Sequence, residues 1–62
     1  MRTHILNKDE DGKYSVTFID ENGNDLGTIS YADKSIYYAN SAIDNWYAGV
    51  LTEETIERYK ID

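Results

Sequence analysis

The sequence predicts a small two-layer α+β domain, in which a three-stranded antiparallel meander precedes two helices packed on one face of the sheet. Three observations support this prediction. Apolar and polar residues alternate in the first half, an Asn-Gly pair divides that half, and apolar residues recur every three or four positions in the second half. The chain has 62 residues and no cysteine, so we expect a single domain over residues 1–62 with a thin core and no disulfide.

The strands are predicted from alternation and from turn residues. Residues 13–19 alternate apolar with hydroxyl side chains, which is typical of a half-buried strand. The Asn22-Gly23 pair predicts a tight hairpin turn, because both residue types tolerate positive φ. Residues 26–31 are then the return strand, with Gly27 as a bulge or a close-packing point. A short first strand at residues 4–6 completes the predicted meander.

The first helix is predicted from apolar spacing. Its apolar face comprises Ile36, Ala39, Ile43, Trp46 and Val50. Two starts remain open: Ser30 with Asp33 as a capping box, or Asp33 itself as the N-cap. Gly49 is placed where a helix C-terminus favours a left-handed residue.

The second helix is predicted from its end signals. Thr52 is a good N-cap, and residues 53–54 are both Glu, which the helix dipole favours in a first turn. Leu51 and Ile56 occupy the two positions of a hydrophobic staple. Two basic residues are predicted in the last turn, Arg58 and Lys60.

Net charge excludes several classes of partner. Twelve acids and six bases give a charge of −6, so direct binding to nucleic acid or to an anionic membrane is disfavoured. The chain has no apolar run of signal-peptide or membrane-span length, which predicts a cytoplasmic protein in the cytosol of a host cell.

We expect no catalytic activity and no cofactor. The chain has one histidine, His4, and no cysteine nucleophile. A chain of this length is expected to lack a cleft of ligand-binding volume beside its core. Residues 7–12 match the start of a calcium-binding EF-hand loop, but Phe18 occupies the position of its bidentate Glu, and the flanks are predicted strands. This segment is therefore interpreted as an acidic hairpin loop, with no metal site.

The acids are concentrated in residues 9–33, where only Lys13 opposes them. They fall in two clusters at opposite ends of the central strand, about 23 Å apart, and the last acid returns towards the first cluster. Such a distribution predicts attraction to a basic protein surface, with solubility as the alternative explanation. The predicted partner-binding acids are Asp9, Glu10, Asp11, Asp20, Glu21, Asp25 and Asp33.

Tyrosine is abundant, with six in the chain. On a helical wheel Trp46 points into the core, Tyr37 points roughly away from it, and Tyr38 lies between. We therefore predict Tyr37 and Tyr38 as anchors for a protein partner. The alternative is that the tyrosines cover a thin core.

In its length, its lack of cysteine, its acid excess, its tyrosine content and its strands-then-helices order, the chain resembles small acidic proteins that phages and mobile elements carry against host nucleic-acid enzymes. These include uracil-DNA glycosylase inhibitors, anti-restriction DNA mimics and anti-CRISPR proteins. The resemblance covers the whole chain but rests on overall character alone. Because no motif is shared, no residue role is carried over.

The resemblance implies a non-catalytic inhibitor that occupies the nucleic-acid-binding site of a basic host protein, such as a Cas nuclease or a DNA-processing enzyme. An antitoxin that binds a basic toxin is a variant of this hypothesis. The alternative is a small structural or accessory subunit, a homodimer that self-associates through its Tyr-rich helix face.

Overall fold

The predicted order of three strands and two helices is confirmed in the computed structural model, which describes residues 1–61. The elements are β1 (Thr3–Lys8), β2 (Tyr14–Ile19), β3 (Asp25–Ser30), α1 (Ile36–Ala48) and α2 (Glu53–Tyr59). The first strand is six residues long, twice the length expected, because it pairs with β2 along its whole length. Neither helix within residues 1–61 has the length and apolar character that a bilayer crossing requires.

The sheet has the order β1-β2-β3 and is antiparallel throughout. Its register shifts between Phe18 and Ile19, where Gly27 pairs with Phe18 and Asp25 with Ile19. Leu26 is therefore an extra residue in β3, and the expected bulge beside Gly27 is confirmed. The Oδ1 atom of Asp25 accepts a 2.8 Å hydrogen bond from the N–H of Gly27 and supports this irregular backbone.

Both helices cover the sheet face that carries Val16 and Phe18. The fully buried side chains come from β2 and from both helices, and are Val16, Phe18, Ala39, Trp46 and Ile56. The Trp46 ring meets the Phe18 ring edge-on, with centroids 5.6 Å apart. The predicted inward position of Trp46 is confirmed, and this one side chain joins α1 to the central strand.

The start of α1 differs from both predicted starts. Its N-cap is Ser35, and the Ser35 side chain makes no capping hydrogen bond. The N–H of Lys34 donates to the carbonyl of Tyr31 at 3.0 Å, so a turn occupies residues 31–34 and delays the helix. The predicted capping box and the predicted Asp33 cap are therefore wrong, because both positions precede or form this turn.

The end of α1 lies where it was predicted. Gly49 has φ +80° and is the C-cap, so Val50 falls outside the helix and is exposed rather than packed in the core. In α2 the Thr52 hydroxyl accepts from the N–H of Thr55 at 3.3 Å, which confirms the predicted N-cap. Arg58 is in the last turn as expected, while Lys60 is the C-cap, one position beyond the helix.

Candidate protein-binding surface

The two hairpin loops share one design. Residues 9–13 read Asp-Glu-Asp-Gly-Lys, and residues 20–24 read Asp-Glu-Asn-Gly-Asn. In each loop the first aspartate, Asp9 or Asp20, accepts through Oδ1 from the backbone N–H groups two and four residues later, all at 2.9 Å. Side-chain bonds of this kind favour turns. Reasoning from charge alone missed this repeated pattern, which is visible in the sequence and predicts the loop geometry.

Asp20 is held within its own turn. Its side chain is only 8% exposed, and besides the two backbone bonds its Oδ2 accepts from the Asn24 side-chain amide at 3.2 Å. Hydrogen bonds hold the pKa of the Asp20 carboxyl below its ordinary value of 3.8, and the bond from the backbone N–H of Asn24 contributes most to this shift. The Asp20 carboxylate is therefore hydrogen-bonded within its own turn and needs no partner protein to satisfy it.

Glu21 is paired within the chain. Its carboxylate lies 2.8 Å from Nε of Arg2, and this side-chain hydrogen bond is the main cause that lowers the pKa of Glu21 below its ordinary value of 4.5. The Arg2 guanidinium also donates to the carbonyl of Trp46 at 2.8 Å and lies 4.0 Å from the Trp46 ring centroid. Glu21 therefore helps to fasten residue 2 to the end of α1.

The lowered pKa values predict an acid-sensitive fold. A carboxyl whose folded pKa lies below its unfolded value stabilises the fold above the unfolded pKa, and this contribution is lost as pH falls through the folded pKa. We therefore expect the melting temperature to fall as pH decreases below about 4.5. Asp20→Asn should lower the melting temperature at pH 7 and make the acid-induced decrease smaller, because the variant has no carboxylate to protonate in this turn.

Thermal melts followed by circular dichroism between pH 2 and pH 7 measure this effect. The matched control is Asp33→Asn, which removes the same charge from an exposed side chain that accepts no hydrogen bond within residues 1–61. Equal losses for the two variants at pH 7 would show that net charge, and not the turn, determines the result.

The other predicted residues lie at the opposite end of the molecule. Antiparallel pairing brings the end of β3 back beside the start of β2, where the N–H of Tyr31 donates to the carbonyl of Tyr14 at 2.9 Å. Lys13 Nζ reaches the carbonyl of Ala32 at 3.3 Å, which fastens the first hairpin loop to the segment before α1. We call this end the loop–tyrosine surface, and its members are Asp9, Glu10, Asp11, Asp33, Tyr37 and Tyr38.

Two lysines that precede and follow the acid-rich stretch also lie at this end. Lys8 pairs with Tyr14 across the strands, and its Nζ is 5.6 Å from the Tyr14 ring centroid. Lys34 places its Nζ 5.3 Å from the Tyr38 ring centroid. The loop–tyrosine surface is thus mixed in charge. Counting only residues 9–33 overstates its negative charge, because Lys8 and Lys34, which flank that stretch in the sequence, also lie at this end.

Tyr37 and Tyr38 are exposed, as expected, at 73% and 55%. Their rings meet edge-on with centroids 6.4 Å apart, at the first turn of α1. Asp44 is the only charged residue of this thirteen-residue helix. The two rings therefore form an aromatic patch on a helix that has a single charged residue, with charged side chains beside the patch.

A cleft lies between β3 and α2, contrary to the expectation that so short a chain leaves no such space. Its volume is about 330 Å³, near the lower limit for ligand sites, and its lining includes Ile29, Tyr31, Leu51 and Tyr59. Burial raises the pKa of the Tyr31 hydroxyl above its ordinary value of 10.0.

No group of three potential metal-binding side chains is assembled within residues 1–61. His4 lies in β1, as predicted, with Nδ1 2.7 Å from the Tyr47 hydroxyl. This contact places the histidine in the packing between β1 and α1.

No family model, characterised protein or solved structure is significantly similar to this chain. The functional argument therefore depends on the residues themselves.

Proposed function

We propose that this chain is a non-catalytic protein-binding inhibitor, which uses the loop–tyrosine surface to occupy the nucleic-acid-binding site of a basic protein. The observation that carries the proposal is the position of two exposed tyrosines beside exposed carboxylates at one end of the fold. A host nuclease or another DNA-processing enzyme has the basic groove that such a surface suits.

The carboxylates and the tyrosines have different tasks in this proposal. Glu10, Asp11 and Asp33 form no side-chain hydrogen bond or ion pair within residues 1–61, so a partner's Arg or Lys can engage them without breaking the fold. These acids contribute to the chain's net charge of −6, which accelerates encounter with a basic surface. Charge alone gives weak residence in salt, because exposed ion pairs are screened.

The tyrosines supply the residence time. A Tyr side chain buries a large apolar area, loses little conformational entropy and keeps a hydroxyl for hydrogen bonding, which explains its enrichment at binding hot spots. Tyr37 and Tyr38 are already in mutual contact, so part of their ordering cost is met before binding.

The remaining predicted acids have a different role in this proposal. Asp20, Glu21 and Asp25 lie at the opposite end of β2 and are engaged in turns or in the Arg2 pair. In this proposal they contribute to the overall field and do not contact the partner directly.

Affinity capture from host lysate at low salt, with a parallel wash at high salt, tests the proposal. We expect retention of one basic protein, released by high salt and by that protein's own nucleic acid. Retention of no basic protein, or retention that its nucleic acid does not compete, would contradict the inhibitor function.

Variants then identify the surface that binds. Tyr37→Ala with Tyr38→Ala should weaken binding of the captured protein roughly 30-fold or more. The matched control is Tyr59→Ala, which removes an exposed tyrosine from α2. Glu10→Gln with Asp11→Asn should slow association and flatten its salt dependence.

The control for the acid pair is Glu54→Gln with Glu57→Gln, which makes the same change in net charge on α2. Equal slowing by both pairs would assign the effect to net charge and would remove the first hairpin loop from the contact.

A further inference from the structure

The two edges of the sheet differ. The outer edge of β3 is covered at Thr28, where Ile61 forms a bridge with a 2.8 Å bond from its N–H to the Thr28 carbonyl. The outer edge of β1 has no strand beside it within residues 1–61. One row of β1 backbone N–H and C=O groups is therefore left for solvent or for another strand.

The open edge carries little of the protection that natural edges use. Charged residues, prolines, bulges and short strands normally prevent edge-to-edge pairing. Here β1 has six residues, its bulge-free pairing with β2 is regular, and its only lysine is Lys8 at the end. In its centre Ile5 is 50% exposed and Leu6 is 41% exposed, on opposite faces of the strand.

The α1 helix also has an uncovered side next to this edge of the sheet. The contact of Tyr47 with His4 shows which side of α1 lies towards β1. Helical spacing places Ile36, Asn40 and Ile43 on that same side, and both Ile36 and Tyr47 remain partly exposed. This strip of α1 has no charged residue and lies on the side of the helix towards β1, so the sheet and the helix layer both leave apolar side chains partly exposed at this margin.

The distribution of charge indicates which partner can bind at this edge. A chain of net charge −6 can join a second copy only through a surface that keeps carboxylates out of the contact. Residues 1–8 contain no acid, and neither does the strip of α1 above them.

The geometry points to a symmetric homodimer in which β1 pairs antiparallel with β1 of a second copy. A two-fold axis normal to the sheet would join the two sheets into one of six strands with all helices on one side. The two α1 helices would then lie beside each other over Leu6, and each would cover the apolar margin that the single chain leaves exposed.

The size of the contact sets the expected affinity. A strand of six residues and a helix of thirteen are both about 20 Å long, and two layers about 10 Å thick give roughly 400 Å² of projected area per copy. This area lies below that of standard stable interfaces, so we expect a dissociation constant in the micromolar range. Added salt should tighten the dimer, because it screens the repulsion between two negative bodies.

Sedimentation equilibrium from about 1 μM to 1 mM protein tests the homodimer directly. We expect a monomer–dimer equilibrium that Leu6→Lys weakens at least tenfold, because it places two cations near the two-fold axis. The matched control is Val50→Lys, an exposed apolar residue outside both helices, which should leave the equilibrium unchanged. If Leu6→Lys fails to fold by circular dichroism, Ile5→Lys on the other face of β1 replaces it.

Hydrogen exchange separates edge pairing from other self-association. Amides of β1 that do not bond to β2 should become protected as the protein concentration rises. A monomer at 1 mM would overturn the proposal, as would a dimer that survives both strand variants or one that only Tyr37→Ala with Tyr38→Ala disrupts. The homodimer and the inhibitor function are independent, because they use different surfaces and different readouts.

Discussion

Trp46→Ala is expected to leave the protein largely unfolded at 25 °C. The side chain is fully buried, and truncating a buried Trp costs about 3–5 kcal/mol. A domain of about 60 residues without disulfide or metal has a stability of roughly 3–5 kcal/mol. The loss therefore equals the whole stability of the fold.

Three further contacts make Trp46 hard to replace. Its indole N–H donates to the carbonyl of Thr3 at 2.9 Å, its ring packs edge-on against Phe18, and the Arg2 guanidinium covers it. Together they fasten α1 to both β1 and β2. Trp46→Phe keeps an aromatic ring but leaves the Thr3 carbonyl without this donor, and should cost about 1–3 kcal/mol.

Urea unfolding followed by far-UV circular dichroism measures both variants, because fluorescence of the only tryptophan is lost in them. Tyr37→Ala is the matched control, an aromatic truncation on the same helix but at an exposed position, and should change the free energy of unfolding by less than about 0.5 kcal/mol. A folded Trp46→Ala variant with a wild-type midpoint would contradict the packing described here.

Gly27→Ala is expected to destabilise the fold by roughly 2–4 kcal/mol, the second largest effect. Gly27 has φ +124°, a conformation that side chains rarely adopt. An added Cβ would also lie 2.7 Å from Cδ and 2.9 Å from Cβ of Lys60. Lys60 would have to move, and the neighbouring bond between Ile61 and Thr28 would move with it.

A second glycine separates strain from close packing. Gly23 also has positive φ, +83°, but an added Cβ there meets nothing within 4 Å. Gly23→Ala should therefore cost about 1–2 kcal/mol for backbone strain alone. Chemical denaturation of both variants gives the comparison. Equal losses would show that the C-terminal segment does not pack against β3 as described.

The candidate surface was predicted in part from the sequence. The exposure of Tyr37 and Tyr38 follows from helical periodicity. The position of Asp33 near the first acidic loop follows from the antiparallel hairpin of β2 and β3, which brings the chain back to the start of β2. The engagement of Asp20 was missed, although the repeated Asp-Glu-Asp/Asn-Gly pattern signals it. The pair of Glu21 with Arg2 has no local signal, because its members lie nineteen residues apart.

Local rules also failed where two of them competed. Asp33 and Ser30 have good side chains for a helix N-cap. However, α1 starts after Ser35, because residues 31–34 form a hydrogen-bonded turn before the helix begins. Val50 continues the apolar spacing of α1, yet it is exposed because Gly49 ends the helix. Periodicity identifies a face but does not say where the backbone stops following it.

The sequence by itself determined the three strands, the hairpin turns, the end of α1 at Gly49 and the start of α2 at Thr52. Each of these depends on hydrogen bonds or side-chain periodicity within a few residues, which the sequence displays directly. Only the tertiary structure decided that Glu21 pairs with Arg2, that Lys13 bonds to Ala32, and that β1 remains an open edge while Ile61 bonds to β3 at Thr28. These features depend on contacts between residues distant in sequence, whose burial and charge are set when the chain packs.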